Sequence, residues 1–205
     1  MKALLVDDHA LLREALADLM QRDWPALNLL QAGSLADACA LCDAHPDLQL
    51  VLIDLGLPDA QGLQSLHTLR ERAPHARHVV ISADDQQRTV IDAIDAGASG
   101  FIPKTTEFRV MMGALGLVLG GGVYLPASAM VRNAAPEVGD DLTLTPRQLE
   151  VLGLLVAGHP NKQISRELAL SASTVKTHVE AIYRRLSVSS RTQAVLAVAR
   201  LGLKW

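Results

Sequence analysis

Five side chains of this sequence could between them move a phosphoryl group: Asp7, Asp8, Asp54, Ser82 and Lys104. Asp54 ends an apolar run, Leu50 to Ile53, and Gly56 and Pro58 turn the chain just beyond it. Three carboxylates brought together repel one another unless a cation sits among them, and oxygen donors with room for water suit Mg²⁺. With Mg²⁺ and the Lys104 ammonium offsetting the charge of an incoming phosphoryl group, Asp54 could act as nucleophile and form an aspartyl phosphate. Ser82 could then donate a hydrogen bond to the transferred group. Taken singly, Asp7 or Asp8 is an ordinary helix cap and Lys104 an ordinary surface lysine. Only their joint placement carries the chemistry.

That placement needs a scaffold that brings distant residues to one edge. Short apolar runs at 2–6, 27–31, 49–53, 78–82 and 99–102 read as strands. Between them lie helical patterns after Asp8, from Ser34 to about Ala44, from Gln61 to Arg72, and from Gln86 to Ala96 with Gly97 closing it. A last helix starts near Thr106. Strands alternating with helices predict an α/β fold with a doubly wound five-stranded parallel sheet. Each of the five residues then follows a different strand or its neighbour, at the carboxyl edge where such sheets build their sites.

Composition divides the chain. From 142 to 205 there are nine Lys/Arg against three Asp/Glu, whereas 1–141 holds ten against nineteen. An acidic unit is thus joined to a basic one that would meet a polyanion. Pro126 to Asp141, rich in Ala, Pro, Gly, Ser and Asp, reads as linker, giving units at 1–122 and 143–205 with 123–142 between them. The second unit is all-α, with four helices expected at 145–157, 161–168, 171–186 and 191–201. On the third, Val175, Val179, Ile182 and Leu186 form one narrow core stripe. The opposite face carries Thr177, Glu180, Ala181 and Arg184, with Lys176 and His178 flanking. A helix packed on one side and basic on the other, after a short helix and tight turn, is a helix-turn-helix suited to the DNA major groove.

Lys2 is followed by only four apolar residues before Asp7, so no signal peptide is expected, and the apolar run 110–119 is about half a bilayer crossing. A soluble cytoplasmic protein without a membrane partner is the expectation. Cys39 and Cys42 fall inside a helix, where two small core residues are the better reading than a redox or metal pair.

The motifs resemble two families. Residues 1 to about 122 resemble the receiver domain of two-component response regulators through Val6-Asp7-Asp8, Asp54 with Pro58 and Gly62, Ile81-Ser82-Ala83, Ala96-Gly97-Ala98 and Phe101 with Lys104. That resemblance implies Asp54 as phosphoacceptor, loaded by a histidine kinase. It also implies Asp8, Asp54 and the Gly56 carbonyl as Mg²⁺ ligands with Asp7 assisting, and Ser82 with Phe101 as a switch pair whose ring moves inward. Residues 143–201 resemble the DNA-binding domain of the LuxR/NarL/FixJ family through Leu144 to Leu152, Gly158, Asn161 to Ile164, Leu170-Ser171, Thr174 to His178, Leu186 and Arg191 to Ala194. The family implies base contacts from Lys176, Thr177 and residue 180, and phosphate contacts from Lys162, Thr174, Arg184 and Arg191 on double-stranded promoter DNA. Homodimerisation on activation, and RNA polymerase as a further partner, follow from the same likeness.

Two positions and one helix depart from the usual pattern. Glu180 is acidic, and would either accept from a cytosine amine or repel phosphate and so weaken a poor site. Pro160 cannot cap its helix, leaving that role to Asn161. The helix near 109–119 is apolar around its circumference, with Gly113 and Gly116 in it; it would be frayed and packed under the linker, or would meet a second subunit through Met111 and Leu115. A phosphatase would want a second carboxylate where Gly56 stands. A phosphorylation-independent regulator, using the first unit only to dimerise, remains the alternative.

Overall fold

The computed structural model describes residues 1–130 and 144–201. In chain order the first unit runs β1 (Lys2–Val6), α1 (Ala10–Asp23), β2 (Asn28–Ala32), α2 (Leu35–Ala44), β3 (Leu50–Asp54), α3 (Gln64–Arg72), β4 (Arg77–Ser82), α4 (Gln87–Asp95), β5 (Gly100–Pro103) and α5 (Phe108–Leu119). The strands form one parallel sheet in the order β2-β1-β3-β4-β5. The order reverses between β1 and β3, and the crevice at that point opens where Asp7 and Asp54 leave their strands.

Period-two alternation divides the core cleanly. Leu4, Val6, Val51, Ile53, Val80 and Phe101 point into a cluster with α2, α3 and α4. Ala3, Leu5, Leu50, Leu52, Val79 and Ile81 point to the other face, under α1 and α5. Both faces being covered, β3 is buried along its whole length, which is why it reads as an unbroken apolar run.

Several expectations change. The α3 helix starts at Gln64 rather than Gln61, because Gly62 takes φ 52 and cannot continue a helix. The α5 helix is continuous from Phe108 to Leu119, not frayed, and it buries Met111 and Leu115 in the core; its outer face presents Val110, Gly113, Gly116 and Leu117. A charge at Met111 or Leu115 would therefore break the core instead of probing a subunit contact. The stretch 123–130, placed in the linker by composition, is built onto the sheet. Tyr124 pairs with Gly100 at the free edge of β5, where a Cβ on residue 100 would lie 3.2 Å from the Tyr124 carbonyl oxygen. A 3-10 turn follows at Ala127–Met130, with Ala129 buried. Of the expected linker, residues 131–142 lie outside the described part.

The second unit comprises α6 (Pro146–Val156), α7 (Asn161–Glu167), α8 (Ala172–Arg185) and α9 (Arg191–Leu201) around Leu152, Leu155, Ile164, Val175, Ile182 and Ala194. Thr145 and Gln148 form a capping box at the start of α6, and Ser171 caps α8 by accepting from the Thr174 amide at 3.0 Å. Pro160, not Asn161, occupies the N-cap of α7, and no side chain caps that helix. The turn between α7 and α8 holds Ala169 at φ 50, a left-handed conformation that costs a non-glycine residue about 1 kcal/mol. The α9 helix also meets the first unit: Leu196 is buried in the cluster with Phe101, Ala93 and Ala129, and Gln193 Nε2 donates to Asp95 Oδ1 at 3.4 Å.

Candidate functional site

The carboxyl edge of the sheet gathers the side chains that the sequence singled out. Parallel registry sets Val6 beside Ile53, Asp54 beside Ile81 and Ser82 beside Pro103, so the residues after β1, β3, β4 and β5 share one edge. Lys104 is the centre of that edge. Its Nζ lies 2.7 Å from Asp54 Oδ2 and 2.8 Å from Asp7 Oδ2. Asp54, Asp7 and Ser82 are 4%, 2% and 5% exposed, so these charges meet in a partly dehydrated setting where pairing matters. Burial by itself would lower the Lys104 pKa, but the hydrogen bonds and charges of Asp54 and Asp7 outweigh it and hold the ammonium above the usual lysine value.

Ligand atoms of Asp7, Asp8, His9 and Asp54 all fall within 4.8 Å of one another. Three carboxylates at that spacing are hard oxygen donors of the kind Mg²⁺ takes, so the residues fit the ion. A Cβ on Gly56 would sit 3.4 Å from Asp54 Oδ2; its absence keeps the approach to that oxygen open. The cavity over Asp54, Ser82 and Lys104 measures about 540 Å³, with His9, Leu63, Ala83 and Asp84 on its walls. Ser82 Oγ accepts from the Asp84 amide at 3.2 Å. The Phe101 ring is fully buried, in the cluster that also holds Ala93 and Ile94 of α4, Ala129 and Leu196.

Sequence reasoning missed residues that work across elements. The His9 amide donates to Asp7 Oδ1 at 2.9 Å, and His9 Nδ1 lies 2.7 Å from Asp8 Oδ1. Arg13 donates to the Asp7 carbonyl, steadying the loop after β1. Asp59 accepts from the Leu35 and Ala36 amides at 2.8 and 2.9 Å, capping α2 from the loop after β3; those bonds hold its carboxyl below the usual range. Only the Pro58-Asp59 turn signal hinted at a role there.

The α8 face is exposed. Lys176, Thr177, Glu180 and Arg184 all reach solvent, as does Lys162 on α7. Lys176 Nζ lies 3.8 Å from Glu180 Oε1, one turn on, so the acidic residue is paired within its own helix. The Thr177 hydroxyl donates back to the Ser173 carbonyl at 3.1 Å, and Thr174 Oγ1 sits 2.7 Å from Ser171 Oγ. Arg191 corrects an expectation. Its guanidinium donates to the His159 carbonyl at 3.0 Å and to the Leu155 carbonyl, closing the C-terminal end of α6 instead of reaching for a phosphate. Burial lowers its pKa, with the Arg77 charge adding to the effect.

Two family models match. Residues 3–115 match the response regulator receiver domain and residues 142–198 the bacterial regulatory proteins of the luxR family. Among curated relatives, the glycerol metabolism activator of Pseudomonas putida is 38% identical, over 96% of this chain and 94% of its own length. The nitrate/nitrite response regulator protein NarL of Escherichia coli K12 is 32% identical, over 95% of this chain and 93% of its own. Among solved structures, a LuxR family DNA-binding response regulator from Silicibacter pomeroyi aligns with a TM-score of 0.56 at 30% identity, covering 62% of this chain and 98% of that one.

Proposed function

The chain belongs to the LuxR family of response regulators, transcriptional regulators with a receiver and a DNA-binding domain and not enzymes, and on that premise we propose that phosphorylation of Asp54 controls its action on DNA. The observation that carries this reading is the Lys104 ammonium bridging Asp54 and Asp7 inside an open cavity. A histidine kinase, or a small acyl phosphate, presents the phosphoryl group. An Asp54 carboxylate oxygen attacks phosphorus; the P–O bond forms as the bond to the donor's imidazole nitrogen or acyl oxygen breaks, and the leaving group keeps the electron pair.

The carboxylates of Asp7, Asp8 and Asp54 and the Gly56 carbonyl would hold Mg²⁺, which when bound offsets charge on the phosphoryl oxygens. Lys104 pairs with a phosphoryl oxygen in exchange for its bond to Asp54, and the Ser82 hydroxyl donates to another. Because Phe101 is buried beside α4, any shift of Ser82 and its loop is felt by that helix.

On DNA, α8 enters the major groove with Lys176 and Thr177 at base edges and Glu180 beside them, released from Lys176 to accept from a cytosine amine. Lys162, Thr174 and Arg184 meet phosphates. Two copies related by twofold symmetry occupy paired half-sites at a promoter, with RNA polymerase as the downstream partner. No helix among the described residues is long and apolar enough to cross a membrane, in keeping with a cytoplasmic site of action.

The test is intact mass of wild type and Asp54→Asn after incubation with acetyl phosphate and Mg²⁺, with sedimentation and duplex binding on the same samples. One phosphoryl group on wild type alone, with a heavier species and tighter binding, is the expected result. Binding should weaken with salt at a log–log slope near −0.9 per phosphate contact. Binding and size unchanged by loading would favour the alternative, in which the receiver serves only to dimerise.

A further inference from the structure

We propose that Asp84 and Thr89 transmit the state of the Asp54 site to α4, and that α4 thereby decides whether α9 stays seated on the receiver. The proposal rests on Asp54 as phosphoacceptor and names how that site is read.

The first link is a chain of hydrogen bonds. Ser82 Oγ accepts from the Asp84 amide at 3.2 Å. The Asp84 carboxylate accepts through Oδ1 from the Gln86 amide at 3.1 Å and through Oδ2 from the Thr89 hydroxyl at 2.7 Å. The N-cap residue of α4, Gln86, supplies no side-chain cap. Asp84 therefore does that work from two residues further back, and its negative charge suits the amino end of the helix. When Ser82 turns towards a phosphoryl group, the Asp84 amide loses or stretches its acceptor. The carboxylate that holds the first turn of α4 moves with it.

The second link is at the other end of α4, nine residues along. There Asp95 accepts from Gln193 of α9, and Leu196 of α9 is 2% exposed in the cluster with Val90, Ala93 and Ile94 of α4. On α9, Ala194 and Val198 face the core of their own domain. At about 100° per residue Leu196 lies on the opposite side of the helix from both. A helix serving only its own domain would leave that side to water. Here it carries a leucine fitted into the receiver.

The exposed α8 face gives the seat its meaning. Lys176, Thr177 and Glu180 are open while α9 is held, so docking does not cover the recognition residues. It fixes where the DNA-binding domain stands, and release frees that domain to match the spacing of a second copy.

The physical warrant for coupling is an element biased from both ends, and the experiment reads both ends of α4 at once. The full chain carries Asp95→Cys and Gln193→Cys, which give up that hydrogen bond and leave Leu196 as the contact seating α9, in a Cys39→Ser, Cys42→Ala background, and the pair is joined by a short bis-maleimide. Intact mass reports phosphorylation by acetyl phosphate with Mg²⁺. In this parent, phosphorylation should slow cross-linking by about five-fold or more. Thr89→Val should take up the phosphoryl group yet slow by less than about two-fold, and Thr89→Ser, which keeps the hydroxyl, should restore the response. Leu196→Lys should cross-link slowly with or without phosphorylation, which shows that the assay reads the seat. Release in Thr89→Val as complete as in the parent overturns the relay, and so does a phosphorylated parent whose cross-linking is unchanged. A Thr89→Val chain that cannot be phosphorylated also overturns it, because Thr89 would then serve the reaction itself. A parent that never gains the phosphoryl mass removes the phosphoacceptor reading, and this proposal with it.

Discussion

The two domains solve their recognition problems in opposite ways. The receiver gathers Asp7, Asp54, Ser82 and Lys104 from different strand ends into a site where the first three are at most 5% exposed. The DNA-binding domain lays its candidate contacts along one helix, where the Lys176 and Glu180 side chains are 76% and 59% exposed. In the buried site the carboxylates of Asp54 and Asp7 share the Lys104 ammonium, so removing it leaves them unpaired in a poor solvent for ions. On the exposed helix water takes over when a side chain is lost, and each contact stands alone. A substitution in the receiver should therefore act on stability and chemistry together. One on α8 should act on binding and little else.

The strongest break of this contrast is at Asp54. Asp54→Asn should lose all phosphoryl uptake by intact mass and keep the salt-dependent binding of duplex DNA, whereas Lys176→Ala should do the reverse; loss of both properties in either variant would mean that the domains are not separable. Next is Lys104→Met, which strands the carboxylates of Asp54 and Asp7. It should lower unfolding free energy by about 3 kcal/mol or more and slow phosphorylation by about a hundred-fold. Because the raised Lys104 pKa means the folded state holds its proton more tightly, that pairing is fully present below about pH 10.5 and is lost only as pH rises through the higher folded value.

A buried histidine sharpens the comparison from the acid side. His78 is 3% exposed, and burial pushes its pKa down to about 4 despite a hydrogen bond to the Leu69 carbonyl. Below about pH 6.5 the unfolded chain takes up a proton that the folded chain refuses, so receiver stability should fall by up to about 3 kcal/mol on the way to pH 4. Urea unfolding across that range should show the fall, and His78→Gln should remove that part of it. The second domain has no buried histidine among its described residues and should lack this contribution.

Arg191→Ala tests a residue to which the tertiary structure gives another task. As a clamp on the end of α6 it should cost about 2 kcal/mol of domain stability in thermal unfolding and leave the salt slope of DNA binding alone. A slope smaller by about one would return it to the phosphate contacts. The smallest effects lie on α5. A Cβ at Gly113 or Gly116 meets nothing within 4 Å, so Gly113→Ala and Gly116→Ala should each stabilise the receiver by about 1 kcal/mol. Sedimentation of the same variants reports whether a second copy needs that face bare, since a weaker dimer would accompany the gain.

Legibility follows the same division. The sheet was readable because strands buried on both faces leave unbroken apolar runs, as in Leu50 to Ile53, and because Gly97 marks the end of α4 by its φ of 95. The core stripe of α8 was readable because helical period is local: Val175, Val179 and Ile182 are all buried. Boundaries that rest on single turns, such as the start of α3, were less so. The path of 123–130 was hidden because composition speaks for local flexibility and cannot register a sheet edge waiting at Gly100.

By itself, then, the order of residues determined which side chains could hold a phosphoryl group, which could meet DNA and which strands and helices would carry them. Those properties follow from residue type and short-range period. Tertiary structure alone decided that Lys104 is shared by Asp54 and Asp7, that Asp59 caps α2, that Arg191 serves α6 and that Leu196 belongs to the other domain's core. Each of these joins groups far apart in the chain, and no local pattern records which distant carbonyl, carboxylate or apolar surface a side chain will find once the backbone has closed.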